Sequence, residues 1–168
     1  MNTQQTLAGY TTTEAFVDKF KKHNKIEKKE YLRYYILMKE KAVSYFNNGY
    51  SCSEAIIQAA IDEGLCSKEL LPCATTFSGG MSSGCLCGAV AASQIVLGYN
   101  FGRDNSKGNE VTARKKAAEF MEEFKKINKV TCCRILSKDV LPMNKKAHCS
   151  KFVSECAEIL ESMLKVKV

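Results

Sequence analysis

Proline is scarce in this chain, with Pro72 and Pro142 the two among 168 residues. Tryptophan is absent, histidine occurs twice and aromatic residues make up 9%. Few prolines and aromatics, beside many Lys, Glu, Ala and Leu residues, argue for helices over sheets. Long hydrophobic runs are missing as well. The least polar stretch, Cys85 to Gly98, is too short to cross a bilayer and is broken by Ser93 and Gln94. The opening Met1-Asn2-Thr3-Gln4-Gln5-Thr6 is polar and lacks the apolar centre of a secretory signal. The expectation is a cytoplasmic protein with no membrane span. The phosphate-cradling patterns GxxxxGK[ST] and GxGxxG are absent, and so is the CxxC pair of simple dithiol proteins.

Cysteine is plentiful. There are nine in a chain whose hydrophobic (45%) and charged (26%) contents are otherwise ordinary. In a reducing compartment such abundance points to metal binding, catalysis or redox sensing rather than structural disulfides, and an odd count leaves at least one thiol unpaired. The length fits one core. We expect a polar N-terminal tail over residues 1–10 and a single all-α helical domain, a compact bundle, over residues 11–168.

The net charge of +7 is uneven: +4 over residues 1–50, −2 over 51–103 and +5 over 104–168. The basic segments interleave Glu with Lys, as in Lys115-Lys116-Ala117-Ala118-Glu119. That pattern marks solvated helix faces. No nucleic-acid motif accompanies the charge, so no nucleic-acid partner is expected.

Helix signals recur along the chain. Thr11-x-x-Glu14 is a capping box opening a helix to about Asn24, and a longer helix runs from about Glu27 to Asn48. Ser51-x-x-Glu54 is a second capping box, for a helix ending near Gly64. A short helical turn, Ser67 to Leu71, precedes Pro72, and residues 73–84 form a glycine-rich loop. A helix from about Cys87 to Gly98 is apolar or small on nearly every side, hence central and buried. Further helices span about Glu110 to Asn128, with Ala113, Ala117, Phe120, Met121 and Phe124 inward, and Cys132 to Leu136, capped by Thr131. The last runs from about Ser150 to Leu164.

Four cysteines share a placement. Cys52, Cys87, Cys133 and Cys149 all fall at expected helix N-termini. There, unpaired N–H groups and the positive end of the helix dipole favour a thiolate over a thiol. Several helix ends converging on one anionic site would explain four such positions; small buried apolar side chains are the plainer account. Of the rest, Cys85 could chelate or form a redox pair with Cys87 or be a mere neighbour. Cys156 suits the core, and no role is assigned to Cys66, Cys73 or Cys132. His148 beside Cys149 is a ligand, a base or a surface residue, and His23, amid lysines, is surface. The glycine loop supplies a tight turn that carries Cys87 toward the other helix ends.

Over roughly residues 40–164 the chain resembles the redox-active protein family named for its C…GCAxxG…C…C signature. The stretches that carry the resemblance include Asn48-Gly49-Tyr50-Ser51-Cys52-Ser53-Glu54-Ala55, Phe77-Ser78-Gly79-Gly80-Met81, and Cys87-Gly88-Ala89-Val90-Ala91-Ala92. Leu97-Gly98-Tyr99-Asn100-Phe101-Gly102-Arg103, Cys133-Arg134-Ile135-Leu136 and Cys149-Ser150-Lys151-Phe152-Val153 follow in order. The resemblance implies that the family's four cysteines are Cys52, Cys87, Cys133 and Cys149. The signature's last glycine is Ala92 here.

The leading expectation is an iron–sulfur cluster held by these four thiolates, with electron transfer to an unidentified redox partner protein. A thiol–disulfide protein without metal and a non-enzymatic module with a structural four-cysteine zinc site are the alternatives. Catalysis is left uncommitted, and a homo-oligomer is left open.

Overall fold

The structure, a computed structural model, describes residues 38–164. The expected tail at residues 1–10, the helix opened by Thr11-x-x-Glu14 and the first part of the Glu27–Asn48 helix lie outside the described residues. Among the described residues, seven α-helices follow in order: α1 Met38–Asn47, α2 Cys52–Asp62, α3 Leu70–Ala74, α4 Gly88–Phe101, α5 Val111–Asn128, α6 Cys133–Leu136 and α7 Lys145–Leu164. There is no strand among them, and one isolated antiparallel bridge joins Leu86 to Cys132. The fold is all-α, as the composition implies. No helix among the described residues is long and apolar enough to cross a membrane.

The core forms around α4. Its first six residues, Gly88 to Ser93, are all buried, as are Val96 and Leu97. Small side chains on every face let α2, α5 and α7 approach closely. From α5 come Phe120 and Phe124, four apart and fully buried; from α7 come Phe152, Val153, Cys156, Ala157 and Leu160. Met38, Ala42 and Phe46, each one helical turn apart, turn one face of α1 inward. Charged residues pair along the outer surface of α5, Lys116 with Glu119 at 3.0 Å and Arg114 with the cap residue Glu110 at 2.9 Å, which makes it a solvated face.

The second capping box forms as its sequence predicts. The Glu54 N–H donates to Ser51 Oγ at 3.4 Å, and the Ser51 N–H donates to Glu54 Oε2 at 2.8 Å. Cys52 is thereby fixed as the first residue of α2.

Several boundaries differ from expectation, and α4 runs past Gly98 to Phe101. Pro72 lies inside α3, as its third residue, rather than ending a helix. It is tolerated because a first-turn residue has no intrahelical N–H bond to lose. Residues 73–84 are not an open loop but contain a 3-10 turn at Thr75–Phe77 and a π-type turn at Gly80–Gly84. Cys132, not Thr131, is the cap residue of α6. Finally, α7 starts at Lys145, directly from the 3-10 turn Pro142–Asn144, so it is one turn longer than expected.

Candidate functional site

Three of the four cysteines sit where the sequence places them. Cys52 opens α2, Cys87 is the cap residue of α4 and Cys133 opens α6. Cys149 does not. It is the fifth residue of α7, beyond the unpaired N–H groups of the first turn, so the common helix-start placement holds for three and fails for the fourth.

The backbone brings these elements together at the N-terminal end of α4. The Cys87 N–H donates to the Thr131 carbonyl at 2.8 Å, and the Cys133 N–H donates to the Cys85 carbonyl at 2.5 Å, on either side of the Leu86–Cys132 bridge. Cys133 and Cys87 are thus tied through two short extended segments. Two glycines make the approach feasible. A Cβ on Gly88 would lie 2.7 Å from Cys52 Sγ and 2.6 Å from the Phe77 carbonyl oxygen. The Cys52 sulfur therefore rests against the bare backbone of α4's first residue. Gly80, at φ +64°, is equally confined: a Cβ there would stand 2.8 Å from Cys133 Cβ and 2.7 Å from the Cys85 nitrogen. The turn it opens continues through Met81 and Ser82, both left-handed without being glycine.

The thiols are close enough to feel one another's charge. Cys52 acts electrostatically on Cys87, Cys133 and Cys149, and Cys133 acts on Cys87 and Cys149. No three or more His, Cys, Asp or Glu side chains among the described residues are grouped to hold a metal ion. All nine cysteines are free thiols.

The family model described as "Putative redox-active protein (C_GCAxxG_C_C)" matches residues 50–163. The chain belongs to this redox-active family. No curated protein matches it, and no solved structure does. The family span contains all nine cysteines, so geometry has to distinguish them. Cys66 and Cys73 hydrogen-bond backbone carbonyls of Ile57 and Glu69, at 3.9 and 3.7 Å. Cys85 is exposed, and Cys132 donates to the Gly84 carbonyl at 3.3 Å. Ala92, in place of the signature's last glycine, is fully buried among the core residues, where an added methyl group is accommodated by helix packing.

Protonation departs from the expectation drawn from helix ends. Burial pushes the Cys87 thiol up to about 12, against the pull of the Val90 and Ala89 N–H groups and with the charges of Cys52 and Cys133 adding to the rise. Burial, then the charge of Cys52, raises Cys133 and Cys149 as well. Desolvation of the anion outweighs the helix dipole because these sulfurs lie inside the wall of the bundle.

One residue of this neighbourhood escaped the sequence reading. Lys145 lowers the pKa of both Cys133 and Cys149 by its positive charge. It precedes Cys149 by four residues, one helical turn, a signal visible once α7 is known to begin there. Cys156, expected in the core and fully buried there, also interacts with Cys87 and Cys52 from behind. His148 is not in the group. Its Nε2 lies 2.8 Å from the Leu136 carbonyl oxygen, and its ring stands edge-on to Phe152 at 5.2 Å.

Proposed function

We propose that this member of the redox-active family holds an iron–sulfur cluster on Cys52, Cys87, Cys133 and Cys149 and exchanges electrons with a redox partner protein in the cytoplasm. The observation that carries it is how the backbone gathers these cysteines at the N-terminal end of α4: Cys52 Sγ rests against Gly88 beside Cys87, backbone bonds tie the Cys85–Cys87 segment to Thr131 and Cys133, and the charge of Cys52 reaches Cys87, Cys133 and Cys149. The donor set suits the group: four soft sulfur ligands and no carboxylate among them. A cluster also spreads its ligands wider than a single zinc ion, whose sulfurs must all stand about 2.3 Å from one centre. A bound cluster would supply one-electron transfer.

The chain's own residues set the conditions for it. Gly88 leaves the Cys52 sulfur unobstructed by a side chain at its closest approach, and Gly80 gives the backbone room to come up against Cys133 Cβ. The Val90 and Ala89 N–H groups face Cys87 and favour its anionic form. Raised thiol pKa values mean that ligation must displace protons, so loading should release acid and strengthen as pH rises. The same raised values count against a metal-free dithiol mechanism, which works best with a low-pKa attacking thiolate.

The test is the full chain purified without oxygen and examined for visible absorption, iron and acid-labile sulfide. A brown protein that loses its colour in each of Cys52→Ser, Cys87→Ser, Cys133→Ser and Cys149→Ser, but keeps it in Cys73→Ser, is the expected result. A colourless protein carrying stoichiometric zinc, or one whose colour survives both Cys52→Ser and Cys133→Ser, would overturn it.

A further inference from the structure

A cavity of about 500 Å³, open to solvent, lies against Cys133 on the side where α6 meets the turn at Gly80–Gly84. Its wall carries three cations, Arg134, Lys138 and Lys145, and no acidic side chain. All three are exposed to solvent, so they cost the fold little, but they leave the cavity positive unless each is neutralised locally. They are not. Lys145 has no carboxylate partner among the described residues. Lys138 has only Asp139, at 3.7 Å and with both side chains largely exposed, a pairing that water makes weak.

Arg134 is exposed but tethered. Its Nη2 donates to the Ser83 carbonyl at 2.8 Å, and its side chain lies over Gly84, where a Cβ would stand 3.1 Å from Nε. One bond fixes the guanidinium and leaves its other donors free. Ser82, also in the wall, has a hydroxyl with no hydrogen-bond partner among the described residues. The cavity is within the size range of small-molecule sites and larger than a bare inorganic ion needs.

We propose that this cavity binds a small oxyanion-bearing molecule, gripped by Arg134 and Lys145, beside Cys133. A planar guanidinium and a nearby ammonium are the usual pair for carboxylate or phosphate recognition. The proposal does not depend on the cluster: colour and iron content report the one, and anion titration reports the other.

The experiment is isothermal titration calorimetry of the full chain, at low salt, with inorganic phosphate and separately with malonate. Saturable binding of at least one, to one site per chain, is expected. Arg134→Gln and Lys145→Gln should each weaken it roughly tenfold, the worth of one charge-assisted hydrogen bond. Lys126→Gln, whose charge sits on α5 beside Glu123, should leave it unchanged. Should either site variant fail to fold by far-UV dichroism, Lys138→Glu, a reversal on an exposed side chain, must weaken binding by as much. Absence of saturable binding for both anions would overturn the proposal. So would equal weakening by Lys126→Gln, because that is diffuse surface charge rather than a site.

Discussion

The helices along α4 and the segments gathered at its N-terminal end are built on opposite terms. Along the helix, α2, α5 and α7 bury apolar side chains in regular backbone, with Phe120, Phe124, Val153 and Leu160 fully enclosed. At the end, order comes from backbone hydrogen bonds at Cys87 and Cys133, from glycines with no room for a Cβ, and from left-handed residues at Met81 and Ser82. The first region is stabilised by what it removes from water. The second holds conformations the chain disfavours, and sulfurs whose charged forms it disfavours too. Stability and thiol chemistry are thereby assigned to different residues, which can be separated by experiment.

The largest contrast should appear in thiol reactivity. Cys85 and Cys87 are two residues apart, yet the first is exposed and the second buried. Raising the Cys87 thiol from 9.0 to about 12 lowers its thiolate fraction at neutral pH by something on the order of a thousandfold. In the reduced, cofactor-free chain, iodoacetamide followed by peptide mass mapping should label Cys85 and Cys73 well before Cys87. Cys87 labelling should keep accelerating as pH rises toward 12. Equal labelling of Cys85 and Cys87 at pH 7 would erase the distinction between the two regions.

Next in size is the loss of a core ring. Phe120→Ala should cost about 3–5 kcal/mol in urea unfolding, through lost burial and the cavity left behind, while leaving the visible absorption per folded molecule intact. The converse change is Gly80→Ala. A methyl group forced against the Cys85 nitrogen and Cys133 Cβ, at positive φ, should cost roughly 1–3 kcal/mol but displace Cys133 and diminish cofactor retention. If Phe120→Ala abolished the absorption of folded protein and Gly80→Ala spared it, the partition would be the reverse of ours.

The smallest effect is the pH dependence contributed by Glu54. The Thr75 hydroxyl, and then the Ser51 N–H, hold its carboxyl below the ordinary 4.5. A carboxyl depressed in the folded state adds stability above its unfolded pKa, and that stability is lost as pH falls through the folded value. Chemical denaturation between pH 6 and pH 3 (roughly the window spanning those values) should therefore show a shallower acid loss in Glu54→Gln than in the parent. Identical slopes would mean that the capping carboxylate contributes nothing to acid stability.

How far the sequence foretold these regions follows the same division. Periodic and capped segments were legible: Ser51 and Glu54 announce α2, and the small residues after Cys87 announce a buried helix. The start of α7 was not, because Lys145 and Lys146 carry no capping side chain and the helix continues straight from the Pro142–Asn144 turn. That hid both the true position of Cys149 and its neighbour Lys145. Left-handed Met81 and Ser82 leave no mark either, since neither residue type favours that conformation. Nor does spacing disclose depth: the helix-start logic located Cys52, Cys87 and Cys133 but gave the wrong direction for Cys87 and Cys133, where burial decides. The helix starts of Cys52, Cys87 and Cys133 were readable from pattern; the protonation of Cys87 and Cys133 was a property of the assembled wall.

The paired bonds from Cys87 to Thr131 and from Cys133 to Cys85 also act as a clasp. Everything from Gly88 to Val130 leaves the clasp and returns to it, with the exposed turn of residues 102–107 at the far end of α4. Lengthening that turn stretches the excursion without moving either fastened end. A fluorophore, an epitope or a whole fused domain inserted there would thus be an addition made a full helix length away from the thiols.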